Sequence, residues 1–273
     1  MSRIFPSAAL FGLLLLVGFS PLSADETPTP ARATEQAKPE ATDKAEADAV
    51  PRFGAPAGAK RLMPDHDVWV DPKRKLVIMD GEICLREGQL EMFACPRGTK
   101  EHESVVSVHT KAFVVHAALL SIGAETGTPV QFAPNYVPAT GTEVEVHVLW
   151  YDAQGKRHSI RAQEWIRNVK TDKPMEYPWV FAGSGFWRDE ATGEQHYMAE
   201  SGDFICVSNF SSAMLDLPVE SPQANQGLLF EAFTGRIPPL NTKVRLVLAP
   251  KVKKPAEKDA AKEKAESKSG AAK

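Results

Sequence analysis

The chain lacks the local signatures that usually announce a chemistry. It has no HExxH histidine pair, no phosphate-cradling glycine loop and no dinucleotide fingerprint, which removes the common sequence warrants for a zinc hydrolase, a nucleotide enzyme or a dehydrogenase. AGSGF at 182–186 resembles a nucleophile elbow only superficially, because Ala182 and Phe186 stand where glycine is required. No excess of one charge exists either. The 32 Lys and Arg against 35 Asp and Glu leave a net charge of -3, so nothing draws the chain globally to nucleic acid or an acidic membrane. Cysteine is scarce: there are three in 273 residues, all beyond residue 80, and none near the N-terminus to carry a lipid. Internal repeats are absent.

Long apolar runs are also few. The one at the N-terminus, AALFGLLLLVGF after Arg3 and before PLSA, is shorter than the ~20 residues a transmembrane helix needs. It reads as a secretory signal over residues 1–24, cleaved after Ala24. Leu22 is bulky for that cleavage position, which leaves an uncleaved anchor as the alternative. The expectation is an exported protein, periplasmic or extracellular, with no membrane span once the signal is removed. Residues 25–60 are rich in Ala, Pro, Thr, Glu and Lys. They bury too little apolar surface to offset ordering entropy, and are expected to form a disordered linker. Residues 251–273 repeat that composition as a charged tail, disordered or a fraying helix.

Residues 61–250 are expected to form a single domain. Short apolar runs punctuated by Gly, Pro and Asp indicate strands. In KLVIMDGEICLREGQLEMFAC, Asp80-Gly81 and Glu87-Gly88 are hairpin signals. Taken together they predict a three-stranded meander in which Ile78 faces Ile83 and Leu85 faces Leu90. SVVSV is extended, TEVEVHVLWYD alternates in period two, and TKVRLVLAP closes the core. EQHYMAE and DFICVSN, on either side of Ser201-Gly202, read as a further strand pair. TKAFVVHAALLSIG predicts a helix over about residues 110–122, capped by Thr110 and stopped by Gly123, apolar on all sides and therefore buried. The fold class this implies is α+β, a mainly antiparallel β-sheet with one buried helix and short additional helical segments.

The chemistry concentrates in CPRGTKEHESV, residues 95–105. Arg97, Lys100 and His102 are placed to favour a Cys95 thiolate, although a cation-rich Pro-Gly segment is equally what a solvated turn looks like. In the meander register Cys84 and Cys95 are ~14 Å apart, beyond the ~7 Å that a disulfide spans, so Cys206 is the expected partner for any bridge. His102, His109 and His116 recur every seven residues, but the valines between the first two favour a strand, on which they fall on opposite faces. His116 reads as a hydrogen-bonded core histidine. Asp189, Glu190 and Glu194 lack calcium-loop spacing and read as a solvated turn. No metal and no cofactor is expected. YPWVFAGSGFW offers Trp179 and Trp187 as an aromatic binding face, with a core corner as the alternative.

CLREGQLEMFAC, GTKEHESVV with HAALLSIGAETGTPVQF, PWVFAGSGFW through DFICVSNFSSAMLDLPVES, and FEAFTGRIPP together resemble the YdjY-domain family of exported bacterial proteins. The resemblance spans most of residues 70–250. It implies export and ranks Lys100, His102 and Glu103 higher as site residues, and it carries no mechanism with it. The function expected is a ligand- or partner-binding module of the cell envelope. It would present Cys95, Lys100, His102, Glu103 and Ser104, with Trp179 and Trp187, on a tether whose ~35 residues reach about 30 Å. The alternative is a metal-assisted or cysteine-dependent hydrolase or thiol-redox protein using Cys95, His102 and Glu103.

Overall fold

The structure is a computed structural model that describes residues 53–223 and 227–252. The signal, the linker up to residue 52 and the tail from residue 253 lie outside the described residues.

Eight strands form the body of the domain. They are β1 (Leu76–Ile83), β2 (Met92–Pro96), β3 (Ser104–Val108), β4 (Glu143–Tyr151), β5 (Trp179–Phe181), β6 (Ile205–Cys206), β7 (Leu215–Asp216) and β8 (Lys243–Pro250). Around the wall they run β1, β8, β4, β5, β7, β6, β2, β3, and β3 then pairs with β1. The sheet is thus a closed eight-stranded barrel. Its β2–β3 and β6–β7 pairs are parallel. This overturns the expected α+β fold on a mainly antiparallel sheet. The protein is mostly β, and α1 (Ala112–Ser121) is the one α-helix among the described residues. Closure removes the open sheet edges that an α+β layer would have to cover.

Period-two patterning builds the interior. Val144, Val146 and Val148 of β4 meet Val244, Leu246 and Leu248 of β8, and these meet Val77 and Met79 of β1, in one buried cluster with Phe93, Trp165, Trp179 and Phe181. The alternation in TEVEVHVLWYD and the closing strand in TKVRLVLAP are borne out, as are the return of the chain after Asp152 into Arg157–Arg161 and the extended SVVSV.

The meander is not. Asp80 and Gly81 lie inside β1: the Asp80 N–H donates to Asp67 O at 3.0 Å, and Asp80 O accepts from His109 N at 3.0 Å. Gly81 has no positive φ, which a two-residue hairpin turn at this pair would demand. One edge of β1 is given to β8, and the other is divided. Leu76–Met79 pairs with Val68–Asp71, and Gly81–Ile83 pairs with β3. Asp80-Gly81 therefore marks a change of partner. Glycine is needed there because a Cβ would stand 2.4 Å from Ser107 O. The second strand pair was also misplaced. Gln195–Tyr197 pairs with Phe186–Arg188, while β6 pairs with β2 and β7.

α1 ends as predicted, with Gly123 at φ +93° and Ala124 N–H on Leu119 O. Its N-cap is Lys111 instead of Thr110, with no side-chain cap. Ala112, Val115, Ala118 and Leu119 enter the core, but Phe113 and Leu120 are exposed, so the helix is not buried on all sides. His116 is hydrogen-bonded as expected: its Nδ1 lies 2.8 Å from Tyr197 Oη, and burial lowers its pKa.

Gly81→Ala is expected to cost about 1–3 kcal/mol, the range for overpacking, because the new methyl meets backbone at the closing pair. Gly235→Ala, with nothing within 4 Å of its Cβ position, should change little. Urea denaturation of both variants measures the difference, and equal midpoints would contradict the closure register.

Candidate functional site

The strand β3 has chemistry at both ends. At its N-terminal end the chain leaves β2 at Pro96, turns through Gly98 at φ +82° and makes a 3-10 turn over Glu101–Glu103. The Gly98 N–H donates to the Glu101 carboxylate, and Thr99 Oγ1 donates to Pro96 O at 2.6 Å. This geometry points Lys100 inward. Its Nζ lies 3.0 Å from Asp203 Oδ1 and 3.4 Å from Glu103 Oε1, and 4.5 Å from the Phe210 ring centroid. Gly202, at φ +124°, makes room for the stem, since a Cβ there would stand 2.5 Å from Lys100 Cγ. Burial by itself would depress the lysine. Asp203, Glu103 and Glu91 outweigh it and hold the ammonium above its usual value. Glu91 is raised, first by burial and then by the Glu103 charge. Asp203 also accepts from Ser212 Oγ and from Ser201 Oγ. The cluster therefore clamps the loop to the Ser201–Asp203 turn, with Lys100 as the shared cation.

Two of the other predicted residues meet this cluster and three do not. Ser104 and Cys95 are fully buried beside it. His102 faces solvent, its side chain 77% exposed and 3.9 Å from Glu103. Trp179 is fully buried, donates from Nε1 to Cys206 O at 2.7 Å and packs 5.8 Å from Phe93. It is a core residue, not a binding face. Trp187 is 51% exposed and stacks on His196 across the Phe186–Arg188 hairpin. In the same hairpin Asp189 accepts from the Ala191 and Thr192 amides, a turn as expected.

The cysteines are free, but not in the arrangement expected. With the meander gone, Cys84 follows β1 on one flank of β3, its N–H on Val105 O, and Cys95 lies on β2 on the other flank, level with Ser107. Cys84 Sγ donates to Ser104 O at 3.0 Å. Cys206 stands apart, packed with Met92 and Ala213, and burial pushes its thiol up.

At the C-terminal end of β3 lies a feature with no sequence signal. Where β1 changes partner, a cleft of about 680 Å³ opens between Phe53, Ala55, Arg61, Asp67, Asp80, His109 and Lys243. Asp67 and His109 also line a neighbouring depression of about 530 Å³ bordered by Pro96, Arg97, Thr99 and Lys111. His109 sits between Asp67 Oδ2 at 3.6 Å and Glu82 Oε1 at 3.9 Å, and its buried Nε2 has no hydrogen-bond partner among the described residues. Arg245 grips Asp80 through Nε at 2.6 Å and Nη2 at 2.8 Å. Burial nevertheless raises the Asp80 carboxyl. Asp67, Asp80, Asp203 and Glu91 were missed as site residues, and His109 was weighed only in the seven-residue histidine series, because these residues come together only across strands. No group of three or more His, Cys, Asp or Glu among the described residues is arranged to hold a metal.

A third polar node lies under the DFICVSNFSSAMLDLPVES segment. Asn209 Nδ2 donates to Asp216 Oδ1 at 3.0 Å, and the Leu217 N–H donates to the same oxygen at 2.7 Å. Asn209 Oδ1 accepts from Ser221 N at 2.7 Å and Tyr136 Oη at 3.1 Å. Burial pushes the Asp216 carboxyl up to about 7, against these hydrogen bonds.

A family model described as the YdjY domain matches residues 68–249. No curated protein and no solved structure matches the chain.

Lys100→Met is expected to destabilise the fold by about 2–4 kcal/mol. That lies below the ~3–5 kcal/mol of a fully buried pair because the lysine keeps 24% of its side chain in solvent. Adding Asp203→Asn should recover part of the loss in urea denaturation. For Asp216, a folded pKa above the unfolded value means the native state holds the extra proton. Its contribution to stability is therefore full below about pH 4 and is lost as pH rises towards 7. Denaturation midpoints across that window should show this fall in the wild type and lack it in Asp216→Asn.

Proposed function

We propose that this chain, which belongs to the YdjY-domain family, is an exported cell-envelope domain that binds a small polar ligand in the cleft where β1 changes partner. The observation that carries the reading is the cleft itself. Its volume of about 680 Å³ falls in the ~300–1,000 Å³ range of small-molecule sites. Its wall combines Phe53, Ala55 and Ala59 with Arg61, Asp67, His109 and Lys243, a mixture that supplies an apolar seat and both donors and acceptors. The buried Nε2 of His109, 3.9 Å from Glu82 Oε1 and without a hydrogen-bond partner among the described residues, is a group that a ligand would satisfy. The loop after β2 contributes Pro96, Arg97 and Thr99 to the neighbouring depression that shares Asp67 and His109 with the cleft, while Lys100 and Glu103 anchor that loop from behind. A ligand needing donors and acceptors together is a polar, partly charged molecule; a wholly apolar one would leave these groups unpaired.

A hydrolytic Cys95–His102 pair is less well supported. Cys95 is fully buried, and His102 is turned to solvent.

A panel of amino acids, dicarboxylates, sugars and nucleosides, screened by ligand-observed NMR and by the fluorescence of Trp69 on the cleft wall, tests the proposal. Binders should weaken tenfold or more, ~1.4 kcal/mol, in Arg61→Ala and His109→Ala, and bind His102→Ala normally. Loss of binding in His102→Ala with both cleft variants unaffected would move the site to the loop and end the cleft reading. Export is tested separately, by fractionating cells that express the full chain.

A further inference from the structure

We infer that the cleft is one half of a longer site, and that its ligand is a short peptide with free ends, lying across the Asp67–His109 pair and reaching into the neighbouring depression. The inference rests on the cleft reading and extends it. It adds a second lobe, a ligand class and two further binding residues, Asp65 and Thr110.

Three observations carry the second lobe. The depression, at about 530 Å³, is of ligand size by itself, and it shares Asp67 and His109 with the cleft. That pair is a ridge and not a closed wall, because both side chains keep surface in solvent. A chain can therefore pass over it from one hollow to the other. The third observation is Thr110. It lines the depression, is only 5% exposed, and its buried Oγ1 has no hydrogen-bond partner among the described residues. Together with His109 Nε2, this puts unpaired buried polar atoms on two consecutive residues where the hollows meet. Folded proteins rarely leave such groups unmatched, and a ligand crossing the ridge would supply the missing partners.

The lining selects the class of ligand. Each hollow carries charges of both signs: Arg61 and Lys243 with Asp67 and Asp80 in the cleft, Arg97 and Lys111 with Asp65 and Glu200 in the depression. A neutral glycan would leave them unanswered, and a polyanion would meet carboxylates in both. A peptide has one charge of each sign at its ends, and a donor and an acceptor at each residue between.

The same groups set its direction. Arg61 commits Nε to His66 O and Nη2 to Asp67, which leaves Nη1, and Lys243 gives one of its three donors to Glu82. The carboxylate end belongs in the cleft. Asp65, exposed at the edge of the depression and in no ion pair among the described residues, takes the ammonium end. Hollows of these volumes are each roughly 8–9 Å across, so the two hold about five residues of extended chain at ~3.4 Å each.

Calorimetric titration of the purified chain with trialanine, pentaalanine and maltopentaose tests the inference. Pentaalanine should bind at least tenfold more tightly than trialanine, and maltopentaose, an uncharged chain of as many units, should not bind. N-acetylation and C-amidation of pentaalanine should each weaken it tenfold or more. Thr110→Val and Asp65→Asn should each cost it fivefold or more, and the urea midpoint of Thr110→Val should not fall, because the hydroxyl it removes has no partner to lose. Equal affinity for the two peptides, with both variants unaffected, would confine the ligand to the cleft: the second lobe would be lost and the cleft reading would stand. Binding of maltopentaose in place of the peptide would overturn the class. No binding of pentaalanine would overturn the inference as a whole, and the cleft reading would then be decided by whether any small ligand of the panel requires Arg61 and His109.

Discussion

Contact between β1 and β3 at Gly81 holds the architecture in its closed form. Only three residue pairs join the strands, Gly81 with Val108, Glu82 with Ser107 and Ile83 with Val106, yet without them the ring would be an open sheet with two free edges. The pairing is possible because residue 81 has no side chain to hold Ser107 away. Once β3 is fixed there, its flanks decide where β2 lies, and β2 in turn carries β6 and β7.

The regions at the two ends of β3 are consequences of that contact. β3 is five residues long, about 15 Å, with the cysteine pair and the Lys100 clamp at one end and His109 at the other. The cleft exists because β1 cannot pair with Val68–Asp71 and with β3 at the same level, so the two neighbours diverge at Asp80. Cys84 and Cys95 come to lie on either side of β3 because β1 and β2 both border it. A single closing contact thus gives a ligand-sized opening and sets the two cysteines on opposite flanks of one strand.

Charge is arranged to keep these regions firm. Arg245 holds Asp80 and also reaches Gly54 O, with Phe53 and Trp69 rings 4.7 and 5.2 Å from its guanidinium. Phe53, Ala55 and Ala59, expected to belong to a linker, therefore line the cleft. Lys100 does the same for the loop after β2, satisfying carboxylates from two directions. Both cations are engaged by carboxylates of the fold, which is why a basic residue in a polar segment was a poor guide to exposure.

Local patterning was readable wherever the neighbours were local. The alternation of Val144, Val146 and Val148, the return after Asp152, the helix stop at Gly123 and the bonded His116 all depend on residues whose spacing determines which face they share. Asp80-Gly81 misled because a dipeptide's turn preference is weaker than six residue pairs of strand alignment against β8, and Trp179 misled because aromatic content alone does not distinguish core from surface. The sequence by itself settled the strand-rich character, the family resemblance and the polar loop after β2. Barrel closure, the Lys100–Asp203 pair, the cleft and the placement of Cys84 and Cys95 on either flank of β3 were decided only in three dimensions, because each joins residues whose separation in the chain is bridged by pairing partners that no local pattern names.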